Sequence, residues 1–104
     1  MTSRQDFSPK LQGETVTKTF EFVSALAAGE TISTQSVTCT VWSGVDSSPS
    51  SMISGSASAS GTTVTQKITG GVVGVVYYLL CTITTSSGQT LQSAGFLAVI
   101  TNVP

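Results

Sequence analysis

The sequence predicts an all-β protein, a two-sheet antiparallel sandwich of about seven strands, and three observations carry that prediction. Apolar residues alternate with Ser and Thr at period two in several windows, and Gly- and Ser-rich turns separate those windows. No window places its apolar residues at helical spacing. The length of 104 residues suits one domain, which can bury enough apolar surface to fold alone.

Residues 1–13 are polar, contain Pro9, and offer only Phe7 and Leu11 as apolar points beyond Met1, so they read as an extended N-terminal arm ordered only by a partner. Arg4, Asp6, Phe7, Lys10 and Leu11 are therefore the candidate partner-docking residues, the charges fixing register. The sandwich domain is expected over 14–104. Its first strand begins near Glu14, where Val16, Phe20 and Phe22 alternate with Thr15, Thr17, Thr19 and Glu21. Ala25 to Gly29 is too short for a stable helix and reads as a turn. Ile32 to Trp42 re-enters a strand, with Val37, Cys39 and Val41 on one face and Thr38, Thr40 and Trp42 on the other.

Ser43 to Ser51 is the clearest loop, and Met52 to Ala59 is a weak strand or its continuation. Thr62 to Thr69 alternates again, setting Val64, Gln66 and Ile68 opposite Thr63, Thr65 and Lys67, and Gly70-Gly71 ends it in a turn. Val75 to Thr85, long and apolar, fits a central strand. Ser86 to Gln89 connects it tightly to a last strand, Thr90 to Thr101.

Charged residues make up 9% of the chain, against about 25% in ordinary soluble domains. Six of the nine charges precede Phe22, and after Glu30 only Asp46 and Lys67 remain. Ser and Thr supply 34 of 104 residues, so the surface is hydrated without being charged. Such a surface suits a subunit held by partners in an assembly. A net charge of −1, without a Lys/Arg cluster, argues against nucleic acid. No apolar stretch reaches membrane-spanning length, and Met1 to Asp6 does not resemble a secretory signal, so synthesis is expected to end in the cytoplasm.

Cys39 and Cys81 share faces with Val37 and Val41, and with Tyr77, Leu79 and Ile83, which places both in the layer between the sheets. They are either a disulfide closing a loop of about 40 residues, contributing up to roughly 4 kcal/mol, or two buried thiols packing as small apolar groups. A reducing cytosol would oppose the bridge.

The chain has no histidine, which removes the commonest general base and metal ligand. The five acids are scattered, with no couple close in sequence. Thr69 to Gly74 is glycine-rich but leads into a strand and not into an anion-binding helix. No catalytic, cofactor or metal residue is assigned, and no small-molecule substrate is expected.

Two segments resemble the small fiber-tail adaptor proteins of tailed bacteriophages. The run Phe20-Glu21-Phe22-Val23-Ser24-Ala25-Leu26-Ala27-Ala28-Gly29-Glu30-Thr31-Ile32 is similar to that family's strand, turn and re-entry, with Glu30 where Asp is common. Thr69 to Tyr77, continuing through Ile83 to Thr90, is similar to its glycine-rich strand and hairpin; Cys39 stands near a position where the family usually has Trp. The resemblance implies an immunoglobulin-like virion protein that joins tail fibres to the tail tube or portal region. The implied partners are other virion proteins, including the fibre N-terminus, with multiple copies per particle. A capsid decoration or head-tail joining protein is the nearest alternative. A receptor- or carbohydrate-binding module is the third, resting on Trp42 with Asp46.

Overall fold

A computed structural model describes residues 2–6, 9–22 and 25–101, with side chains from residue 9 onward. The strands are β1 (Thr2–Asp6), β2 (Lys10–Leu11), β3 (Thr15–Glu21), β4 (Ile32–Ser43), β5 (Ile53–Ser60), β6 (Thr63–Thr69), β7 (Val76–Thr85) and β8 (Thr90–Ile100), with one short 3-10 turn at Pro49–Met52. They form two sheets. One runs β1-β8-β7-β4, with β2 also pairing β8, and the other runs β3-β6-β5. Since β1 and β2 both lie along β8, they are two parts of one first strand interrupted around Pro9, which leaves a seven-stranded sandwich.

The partition places the second, fifth and fourth strands against the last, sixth and third, which is the immunoglobulin arrangement with its first strand on the last strand's side. Alternation in sequence becomes burial directly. In β7 every second residue from Tyr77 to Thr85 is buried, and in β6 Val64, Gln66 and Ile68 are buried between half-exposed or exposed neighbours. Phe20, Phe22, Met52, Val64 and Ile68 meet Tyr77, Leu79, Ile83, Leu97 and Val99 in one continuous core.

Gln66 shows why a polar residue can occupy a core-facing position. The β5–β6 register shifts between Ser54 and Ser58, and the Gln66 amide donates to the carbonyls of Ser54 and Gly55 at 3.1 and 3.2 Å. The side chain satisfies acceptors left by the irregularity. Gly71 is required for a different reason. Its φ is +100°, and a Cβ there would lie 2.7 Å from a Val99 methyl.

One expectation is corrected. Thr2–Asp6 pairs in parallel with Gln92–Phe96, and Lys10–Leu11 with Val99–Ile100, so this segment is extended but lies along the chain's own sheet, and the sandwich is not purely antiparallel. β8, with its other side occupied by β7, offers a free ladder that the first strand completes. The cysteines do face the core, but both lie in one sheet. Cys39 is opposite Leu79 and Cys81 opposite Val37 on the neighbouring strands β4 and β7, so they do not oppose each other across the layer.

Candidate interaction surface

The carboxylates of Glu14, Glu21, Glu30 and Asp46 each bind the chain's own turns or strands. Glu14 Oε1 accepts from Leu11 N–H at 2.9 Å, and Glu21 Oε1 from the Thr62 hydroxyl at 2.6 Å. Glu30 accepts from Ala27 N–H at 2.9 Å, from the Thr85 hydroxyl at 2.5 Å, and from the Ser87 hydroxyl. These bonds fasten the β3–β4 turn to the β7–β8 hairpin. They also hold the Glu30 carboxyl below the ordinary carboxylate range, the Ser87 bond contributing most. Among the described residues no group of three or more His, Cys, Asp or Glu comes together to hold a metal ion.

At the other end of the sandwich Tyr77, fully buried, accepts from Val72 N–H at 2.8 Å and donates to Asp46 Oδ2 at 2.7 Å. A tyrosine near the start of this strand, bonded back to the preceding corner, is the tyrosine corner of immunoglobulin sandwiches. Burial, followed by the bond to Asp46, pushes its phenol up to about 12. The bond from Tyr77, with Ser48 N–H at 2.9 Å, holds the Asp46 carboxyl low. Asp46 thus serves the corner, both of its carboxylate oxygens being engaged within the chain.

Lys10 is the largest departure from the sequence reading. It is 1% exposed, and its ammonium donates to the carbonyls of Leu11, Gln12 and Gly70 at 2.9, 3.1 and 2.7 Å. Its three protons thus find three acceptors, which a buried ammonium needs. Burial lowers its pKa, with the charge of Glu14 acting the other way. Lys10 therefore ties the first strand to the Gly70 turn and does not face a partner. Leu11 is half-buried. The side chains of Arg4 and Asp6, and all of Phe7, lie outside the described residues. Cys39 and Cys81 are buried and free, and desolvation pushes each thiol up to about 12.

With the described carboxylates bound internally, the outer face of the larger sheet is the most distinctive surface. Trp42 on β4, Tyr78 on β7 and Phe96 on β8 form a cross-strand aromatic cluster there. The Trp42 and Phe96 ring centroids are 4.8 Å apart, edge to face, and those of Tyr78 and Phe96 are 5.5 Å apart. Trp42 remains 65% exposed. The sequence reading set Trp42 on the face opposite Val37, Cys39 and Val41, but it missed Phe96.

A family described as podophage GP4 fiber-tail adaptor protein gp77 matches residues 6–97. No curated protein matches the chain.

Proposed function

The chain belongs to the podophage GP4 fiber-tail adaptor protein gp77 family, and from that membership we propose that it attaches tail fibres to the tail or portal region of the particle. It does so as a multi-copy structural subunit whose partners are other virion proteins. The match over residues 6–97 carries this reading. The chain's chemistry agrees with it: nine charged residues, no histidine, and described carboxylates bound to the chain's own backbone and hydroxyls leave a neutral surface suited to packing. The aromatic cluster around Trp42 supplies the kind of rigid amphipathic contact that interfaces favour. The charged residues Arg4 and Asp6, with Phe7, remain the proposed contacts of the N-terminal segment.

A phage lacking this gene should assemble particles that carry no fibres and do not adsorb. Adding the purified protein should restore fibre attachment. Normally fibred particles in its absence would overturn the reading, and a defect confined to DNA-filled heads would favour the head-tail joining role.

A further inference from the structure

We propose that the free edge of β4 is an assembly edge, pairing antiparallel with β4 of a second copy of this chain. A sheet edge presents unpaired N–H and C=O groups, and proteins that must stay apart interrupt or charge such edges. Three of the four edges here carry such a device. β1 contains Arg4 and Asp6, and β3 contains Lys18 and Glu21. β5 is broken by Gly55, at φ +75°, and by the register shift between Ser54 and Ser58.

β4 is uncharged and is irregular only near its ends. Ile32–Ser43 contains no charge, proline or glycine, and among the described strands it pairs only with β7. Its register irregularities fall near the ends, leaving residues 34–41 in unbroken register with β7. An uninterrupted, uncharged edge of this length is a template for another strand.

The side chains fit a second copy. A two-fold axis requires each residue to suit the one opposite. Reversing the strand about Val37 sets Thr34 against Thr40 and Ser36 against Thr38 on the exposed outer face, hydroxyl pairs that favour cross-strand contact. On the core-facing side Val37 meets its own copy, while Gln35 stays bonded to the Ala57 carbonyl of β5 at 3.2 Å. Val37 and Val41 pack against the core yet stay half-exposed because the sheet stops at β4, and a second strand would cover them. A net charge of −1 gives two copies little mutual repulsion.

The test is sedimentation of the purified full chain across the micromolar range, independent of where the protein sits in a particle. Wild type should form a dimer. Thr38→Lys places a charge on the exposed outer face and should weaken dimerisation roughly tenfold or more while circular dichroism and melting temperature stay unchanged. Thr38→Val should keep the dimer. A monomeric wild type, or a dimer indifferent to Thr38→Lys, overturns the proposal. If wild type is monomeric and Thr38→Lys instead blocks entry into particles, the edge takes a strand of another virion protein and the second-copy pairing is refuted.

Discussion

Raising the pH from 7 to 10 should destabilise this protein through its two buried thiols. Cys39 and Cys81 are 4% and 0% exposed, and each thiol is pushed from 9.0 to about 12 by burial. In the unfolded chain both ionise near pH 9, whereas the folded chain keeps them protonated. The unfolded state therefore releases protons first. Stability is full below the unfolded value and falls as pH rises toward the folded one. At pH 10 the linkage amounts to about 1.4 kcal/mol per thiol, or roughly 3 kcal/mol for the pair, a substantial share of the 5–15 kcal/mol typical of domains. Tyr77, raised in the same sense from 10.0 to about 12, adds a few tenths of a kcal/mol at that pH. Lys10 has the opposite sign, because its lowered pKa makes the fold more favourable as its proton leaves. Denaturant melts at pH 7, 8, 9 and 10 should show the fall in wild type. Cys39→Ala/Cys81→Ala should start lower, by about 1 kcal/mol per cavity, and lose most of the pH dependence. Equal pH slopes for the two proteins, or native thiols that react with an alkylating reagent at the rate of free cysteine, would refute the reasoning.

Tyr77→Phe should destabilise the domain by about 1–3 kcal/mol in denaturant melts, because it leaves the Val72 N–H and the Asp46 carboxylate without their shared partner. The same variant should raise the Asp46 pKa, measurable by NMR titration, since the Tyr77 bond is the main cause of its depression. Lys10→Met keeps an unbranched side chain, one atom shorter, but strips three carbonyls of a donor, and should lower stability by about 2 kcal/mol with faster hydrogen exchange in β2. Gly71→Ala combines a left-handed backbone with a 2.7 Å approach to Val99, and a loss of about 1–3 kcal/mol is expected in thermal melts.

The strands were legible because period two survives wherever one face is buried. β3, β4, β6 and β7 follow the alternation read from Val16, Val37, Val64 and Tyr77, and the outward position of Trp42 follows from the same register. Phe96 escaped because Ala94 and Gly95 beside it are small and buried together with Ser93, so β8 lacks a clean alternation there. The faces of Cys39 and Cys81 were readable, but their common sheet was not, because strand order is set by long-range pairing and not by local pattern. Lys10 gave no signal. Its burial depends on the Gly70 carbonyl, sixty residues away, arriving beside those of Leu11 and Gln12. The role of Asp46 was hidden for the same reason, since its partner Tyr77 lies 31 residues along the chain.

The parallel pairing of β1 with β8 has a mechanical consequence. Tension that enters the chain at Thr2 and leaves at Ile100 pulls two adjacent strands lengthwise in opposite senses, because parallel neighbours start at the same end. The rungs from Thr2–Gln92 to Asp6–Phe96 are then loaded together and must yield in concert, whereas a hairpin pulled at its open end parts one rung at a time. A load applied between those two ends would therefore be met in shear by this sheet.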